Sequence, residues 1–182
     1  MGLDMYLSRR LYVKRWEHIK DNFSITVKKG GKKYPDVNPE RISHIIEEVM
    51  YWRKANAIHK WFVDNVQGEE DNCAKYYVTQ EQLIELRDLC KQVLDTATMG
   101  PGKVHAGTSI KDGEVIQHYM DSTVVVNADK IHELLPTQSG CFFGSTDYDQ
   151  WYIDSIAETY TRLCELNLDK PSEWDYYYRS SW

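Results

Sequence analysis

Both ends of the 182-residue chain read as β-strands. In "LDMYLSRRLYV" Leu3, Met5 and Leu7 share one face of a period-two pattern. In "WDYYYRSSW" Trp174, Tyr176 and Tyr178 alternate with Asp175, Tyr177 and Arg179. A strand this aromatic needs a sheet to pair with, and the helical patterns between the two ends supply the cover. The expected class is α+β: one compact domain over 1–182, a mostly antiparallel sheet that includes both chain ends, and three to four helices packed on it. A chain of this length buries a proper core, and no long flexible linker divides it.

Between the ends, "SITVKKGGKKY" reads as a hairpin turning on Gly30-Gly31, its lysines forming a solvated tip. Asn38-Pro39 reads as a helix entrance, and Ile42, Ile45, Ile46 and Val49 follow at helical spacing, with "VMYW" open to leaving the helix as a short strand. "KANAIHKWFVDNVQ" predicts a helix that buries Ala55, Ile58, Trp61, Phe62 and Val66 and closes at Gly68. "CAKYYV" is a short strand, and Thr79 with Gln82 forms a capping box for the helix carrying Leu83, Leu86, Leu89, Cys90 and Val93. The pattern loosens over 96–131, taken as an insertion with a hairpin around Asp112-Gly113 and a short strand at "STVVV". A last helix, capped by Thr146 or Asp147, carries Ile153, Ile156, Tyr160, Leu163 and Cys164 and ends before Pro171.

The formal charge of −6 works against a general nucleic-acid binder, because neutralising phosphates requires a basic face. No run of about 18 apolar residues occurs and the N-terminus has no signal-peptide pattern, so neither a membrane partner nor secretion is expected. Cys73, Cys90, Cys141 and Cys164 form no paired spacing and read as free thiols, Cys90 and Cys164 as small core residues. No hydrolase, phosphate-loop, zinc or dinucleotide motif is present, so no catalytic residue, metal or cofactor is expected. His44 and Glu47 would form a single metal-binding pair on a helix, but no second pair accompanies them.

Two stretches carry more polar and aromatic groups than their local structure needs. On a continuous helix through "YWRKANAIHKWF", Trp52, Asn56 and His59 line up beside the core stripe, with Arg53 and Lys60 beyond. That combination holds a planar anion by stacking, hydrogen bonding and a flanking cation. In "LLPTQSGCFFGSTDYDQWY", Thr137 and Ser139 offer loop donors, and Tyr148 and Trp151 offer rings at a helix N-terminus. The expectation is one pocket built from both stretches.

"GLDMYL", "YWRKANAIHKWFVDN", "LLPTQSG" followed after Cys141 by "FFGSTDYD", and the terminal "SSW" together resemble a group of small bacteriophage- or prophage-encoded proteins. The likeness runs over most of the chain, is weakest over 96–131, and departs at Cys141, where an aromatic is expected. It brings no catalytic residues. It implies a phage accessory protein acting in the host cytoplasm, with counter-defence as the expected role. The ranking is sequestration of a small nucleotide-like ligand first, then binding of a host defence protein as an anti-CRISPR or nucleic-acid mimic would. Third comes an enzyme on a nucleotide with His59 as acid/base. Acidic residues are interleaved with basic ones and the densest run is only Glu69-Glu70-Asp71, which disfavours a mimic. Self-association is left open.

Overall fold

The computed structural model describes residues 2–182 except Ile19 and Asp112, so the aspartate of the expected Asp112-Gly113 turn lies outside the described residues. The fold is α+β. A four-stranded antiparallel sheet has the order β4-β1-β8-β5, with β1 at Asp4–Tyr12, β4 at His44–Arg53, β5 at Lys75–Val78 and β8 at Trp174–Ser181. The two strands from the chain ends are therefore its central pair, in register from Asp4 opposite Ser181 to Leu11 opposite Trp174.

Alternation decides which side of the sheet is covered. Leu3, Met5 and Leu7, Met50 and Trp52, Val78, and Tyr176 and Tyr178 all point to one face and are buried there. Helices α1 (Asn56–Asn65), α2 (Gln80–Thr96) and α4 (Gln150–Glu165) supply the opposing core residues, among them Ile58, Phe62, Leu83, Leu86, Ile156 and Leu163. Phe62 stacks on Tyr178 with ring centres 3.8 Å apart, the tightest aromatic contact between helix and sheet. The Thr79–Gln82 capping box is present at the start of α2.

The segment after Asn38-Pro39 is not a helix. A 3-10 turn at Pro39–Arg41 ends at once, and the ten residues of β4 follow, pairing with β1. The β-branched Ile45, Ile46 and Val49 satisfy a strand as well as a helix, and the waiting edge of β1 decides between them. A bulge opposite Leu7/Ser8 absorbs Val49 and keeps Met50 and Trp52 on the core side. His44 and Glu47 are consequently strand residues, with Glu47 held by Arg9 at 2.7 Å. Among the described residues no cluster of metal-ligating side chains occurs.

Residues 96–131 are more regular than expected. They hold the end of α2, a 13-residue strand β6 (Met99–Lys111), the whole of its 12-residue partner β7 (Glu114–Val125) and the beginning of a short helix α3 (Ala128–Leu134). "MGPG" and "STVVV" pair with each other at the base of that ribbon, Met99 opposite Val125 and Gly102 opposite Ser122. The lysine hairpin is present as β2 (Lys28–Lys29) and β3 (Lys32–Lys33), with Gly30 and Gly31 at φ 57° and 80°. The cap of α4 is Asp149, whose carboxylate accepts from the Tyr152 amide at 3.0 Å, and not Thr146 or Asp147. Cys164 is exposed, contrary to expectation; Cys90 is buried, and burial pushes its thiol up to about 12. No helix among the described residues is long and apolar enough to cross a membrane.

Candidate functional site

The expected alignment of Trp52, Asn56 and His59 on one helix does not form, because Trp52 belongs to β4 and α1 begins only at Asn56. Lys54, at φ 59°, reverses the chain between them and donates its amide to the Leu3 carbonyl at 2.8 Å. The two polar stretches nevertheless meet. The Asn56 amide group donates to the carbonyls of Phe143 and Ser145 at 3.2 and 2.7 Å, and its oxygen accepts from the Gln138 amide at 3.2 Å. All of this is internal fastening: Asn56 is 4% exposed and pins the loop to the start of α1.

Most of the polar surplus in residues 134–152 has the same use. The Tyr148 hydroxyl accepts from the Thr137 amide at 3.2 Å and lies 2.8 Å from His132 Nδ1, while the Thr137 hydroxyl donates to the Thr146 carbonyl. The Tyr152 hydroxyl donates to the Leu135 carbonyl at 2.8 Å, and burial raises its pKa. The glycines serve packing: a Cβ on Gly140 would sit 2.5 Å from the Phe143 ring, and Gly144 combines φ 94° with a 3.1 Å approach to Lys54. A loop without secondary structure needs such side-chain bonds to satisfy its backbone.

His59 is a core residue, fully buried. Its Nδ1 is 2.8 Å from the Tyr178 hydroxyl and its Nε2 is 3.0 Å from Asp71, which also accepts from the Trp182 indole at 3.0 Å. With Nε2 protonated toward the carboxylate, Nδ1 accepts from Tyr178 and every position is satisfied. Phe143 meets the imidazole edge-on at 5.2 Å. Lys60 points elsewhere and pairs with Asp64 at 2.8 Å, one turn along α1. Ser139 is exposed on the loop.

Among the clefts the fold leaves open, one of about 290 Å³ lies where the edge of β4 meets the first two turns of α4. Tyr51, Trp52, Arg53 and Ala55 form one side, and Trp151, Asp154, Ser155 and Glu158 the other. Trp52 is the buried wall, its indole donating to the Thr159 hydroxyl at 2.8 Å, whereas Trp151 is 62% exposed. Arg53 is exposed and forms no ion pair among the described residues. Asp154 accepts from Gln150 at 2.8 Å, and Glu158 lies one turn further along the same helix face. Thus Trp52, Arg53 and Trp151 reach one cleft. Asn56 and Thr137 line only an adjoining crevice of about 20 Å³, too narrow for an organic ligand.

Tyr51, Asp154, Ser155 and Glu158 were not anticipated. On α4 the last three follow Trp151 at i+3, i+4 and i+7, a signal present in the sequence but shared with any solvent face of an amphipathic helix. No protein family, curated protein or solved structure matches the chain, so the chemistry of the cleft is argued from its own residues.

Proposed function

We propose that this is a phage accessory protein that binds a small nucleotide-like molecule in the β4/α4 cleft and acts by sequestering it. One observation carries the reading: an exposed indole, an unpaired guanidinium and two carboxylates converge on the same cleft. Trp151 offers a stacking face for a planar base, Arg53 a fork for one anionic group, and Asp154 and Glu158 acceptors for amino or hydroxyl hydrogens. Two carboxylates beside a single cation favour a ligand of low negative charge. The volume lies at the small end of the roughly 300–1,000 Å³ usual for ligand clefts and suits one nucleoside unit better than a dinucleotide. Sequestration requires no turnover. His59, the expected acid/base, has both ring nitrogens engaged inside the core. A counter-defence role rests on the resemblance to phage proteins alone.

The test is a thermal-shift screen of nucleosides, mononucleotides, ADP-ribose derivatives and cyclic dinucleotides. A ligand at about 100 times its dissociation constant stabilises by about 2.7 kcal/mol, which raises the melting temperature by roughly 5–11 °C in a chain of this size. Trp151→Ala and Arg53→Ala should abolish the shift with little change in unliganded stability, since both side chains are exposed. If no compound shifts the transition, or the shift survives both substitutions, the reading fails.

A further inference from the structure

The covered face of the sheet has an open counterpart. Cross-strand registers arrange it in rows: Arg53, Asp4 and Ser181; then Tyr51, Tyr6, Arg179 and Lys75; then Glu48, Ser8, Tyr177 and Tyr77; then Ile46, Arg10 and Asp175. Tyr51 and Tyr77 are 43% and 56% exposed. Tyr6 and Tyr51 have ring centres 5.3 Å apart on β1 and β4, and Tyr177 and Tyr77 are 5.8 Å apart on β8 and β5. Cations bracket the rings: Arg179 lies 5.5 Å from the centre of Tyr6, and Lys75 and Arg10 lie 4.5 and 4.9 Å from that of Tyr177.

We infer that this open tyrosine- and arginine-bearing sheet face binds single-stranded nucleic acid, on a surface that meets the ligand cleft at Tyr51 and Arg53 but does not use Trp151 or the α4 carboxylates. Neighbouring strands are about 4.8 Å apart and successive rows about 7 Å. The two tyrosine pairs therefore form stacking stations about 12 Å apart on a diagonal, with Arg179 and Lys75 beside the track. Exposed rings with cations between them suit bases and the phosphates that join them, and two or three bases fill such a face. The chain is acidic as a whole, but this face is not. Arg10, Arg53, Lys75 and Arg179 oppose Asp4, Asp175 and Glu48, and Asp175 and Asp4 are already engaged by Arg10 and the Tyr51 hydroxyl. Tyr51 and Tyr77 are exposed and Tyr6 and Tyr177 half-buried, although nothing in the sheet's own stability requires four tyrosines there.

The experiment is fluorescence anisotropy on the full chain with labelled oligothymidine and oligouridine of about eight nucleotides, in about 50 mM salt. Saturable binding is expected, with log–log salt dependence of slope about −2, the value for three phosphate contacts to a single strand. Tyr77→Ala and Lys75→Ala, on the edge strand far from the cleft, should each weaken binding at least fivefold at unchanged melting temperature. Trp151→Ala should leave it unchanged, which separates this site from the cleft. A blunt duplex should bind at least tenfold more weakly, because its bases cannot reach the rings. Absence of saturable binding, equal affinity for duplex, or indifference to both Tyr77→Ala and Lys75→Ala would overturn the inference.

Discussion

Replacing His59 by Ala separates a structural histidine from one that serves a ligand. The imidazole is fully buried, and its removal leaves the buried Tyr178 hydroxyl without its partner, worth about 1–3 kcal/mol. It also deletes a ring packed against Phe143 and Tyr178, and buried large-to-small changes cost about 2–5 kcal/mol. The terms overlap, so the expected loss is about 3–5 kcal/mol, a large part of the roughly 5–15 kcal/mol that holds a domain together. Urea unfolding is the assay; with a slope of about 2–3 kcal/mol per molar, the midpoint should fall by about 1–2.5 M. Tyr178→Phe keeps the stack on Phe62 and removes only the hydroxyl, so its loss should be smaller, about 1–2 kcal/mol. The double variant should lose less than the sum of the singles, because both delete the same bond. A His59→Ala midpoint within about 0.3 M of the parent, or strict additivity with Tyr178→Phe, would refute a buried Asp71–His59–Tyr178 network.

Alkaline stability follows from Cys90. Burial raises its thiol from 9.0 to about 12, so the unfolded chain releases a proton that the folded chain retains. Stability is complete below about pH 8.5 and declines above it by up to about 1.4 kcal/mol per pH unit; the raised Tyr152 and Tyr178 join above about pH 10. Urea midpoints that decline equally in Cys90→Ala between about pH 8.5 and 10 would contradict this. Asp149→Ala should cost about 1 kcal/mol through loss of the α4 cap, measured as a shifted melting curve; no shift would mean that another group caps the helix. Asn56→Ala should speed amide exchange across residues 137–146, read by mass spectrometry, and unchanged protection would show that the loop is held by other contacts.

Elements whose signal is local were legible in the sequence. The Thr79–Gln82 box, the Gly30-Gly31 turn and the alternation of Trp174, Tyr176 and Tyr178 each carry their structural cause within a few residues. β4 was not, because Ile45, Ile46 and Val49 fit two periods and the deciding partner, β1, lies about forty residues away. That one misassignment also broke the expected site, since a helical stripe was the sole reason to put Trp52 beside His59. Asn56 shows a further limit: its amide looks like a ligand group in sequence, and only the positions of Gln138, Phe143 and Ser145 reveal that the loop uses it. Arg53 and Trp151 reach the cleft from separate elements, an encounter that no spacing encodes.

The central pairing of β1 with β8 sets the timetable of synthesis. Asp4 finds its neighbour in Ser181, so the ribosome makes the residues between them before the middle of the sheet can close. At about 5–20 residues per second, β1 waits on the order of 9–35 s with Leu3, Met5 and Leu7 lacking their final cover. β4 is translated early enough to take one side of β1, and the bulge at Val49 already fixes that register. Until β8 is made, the side of β1 that it will occupy is an unpaired strand edge, the kind of surface that a chaperone covers.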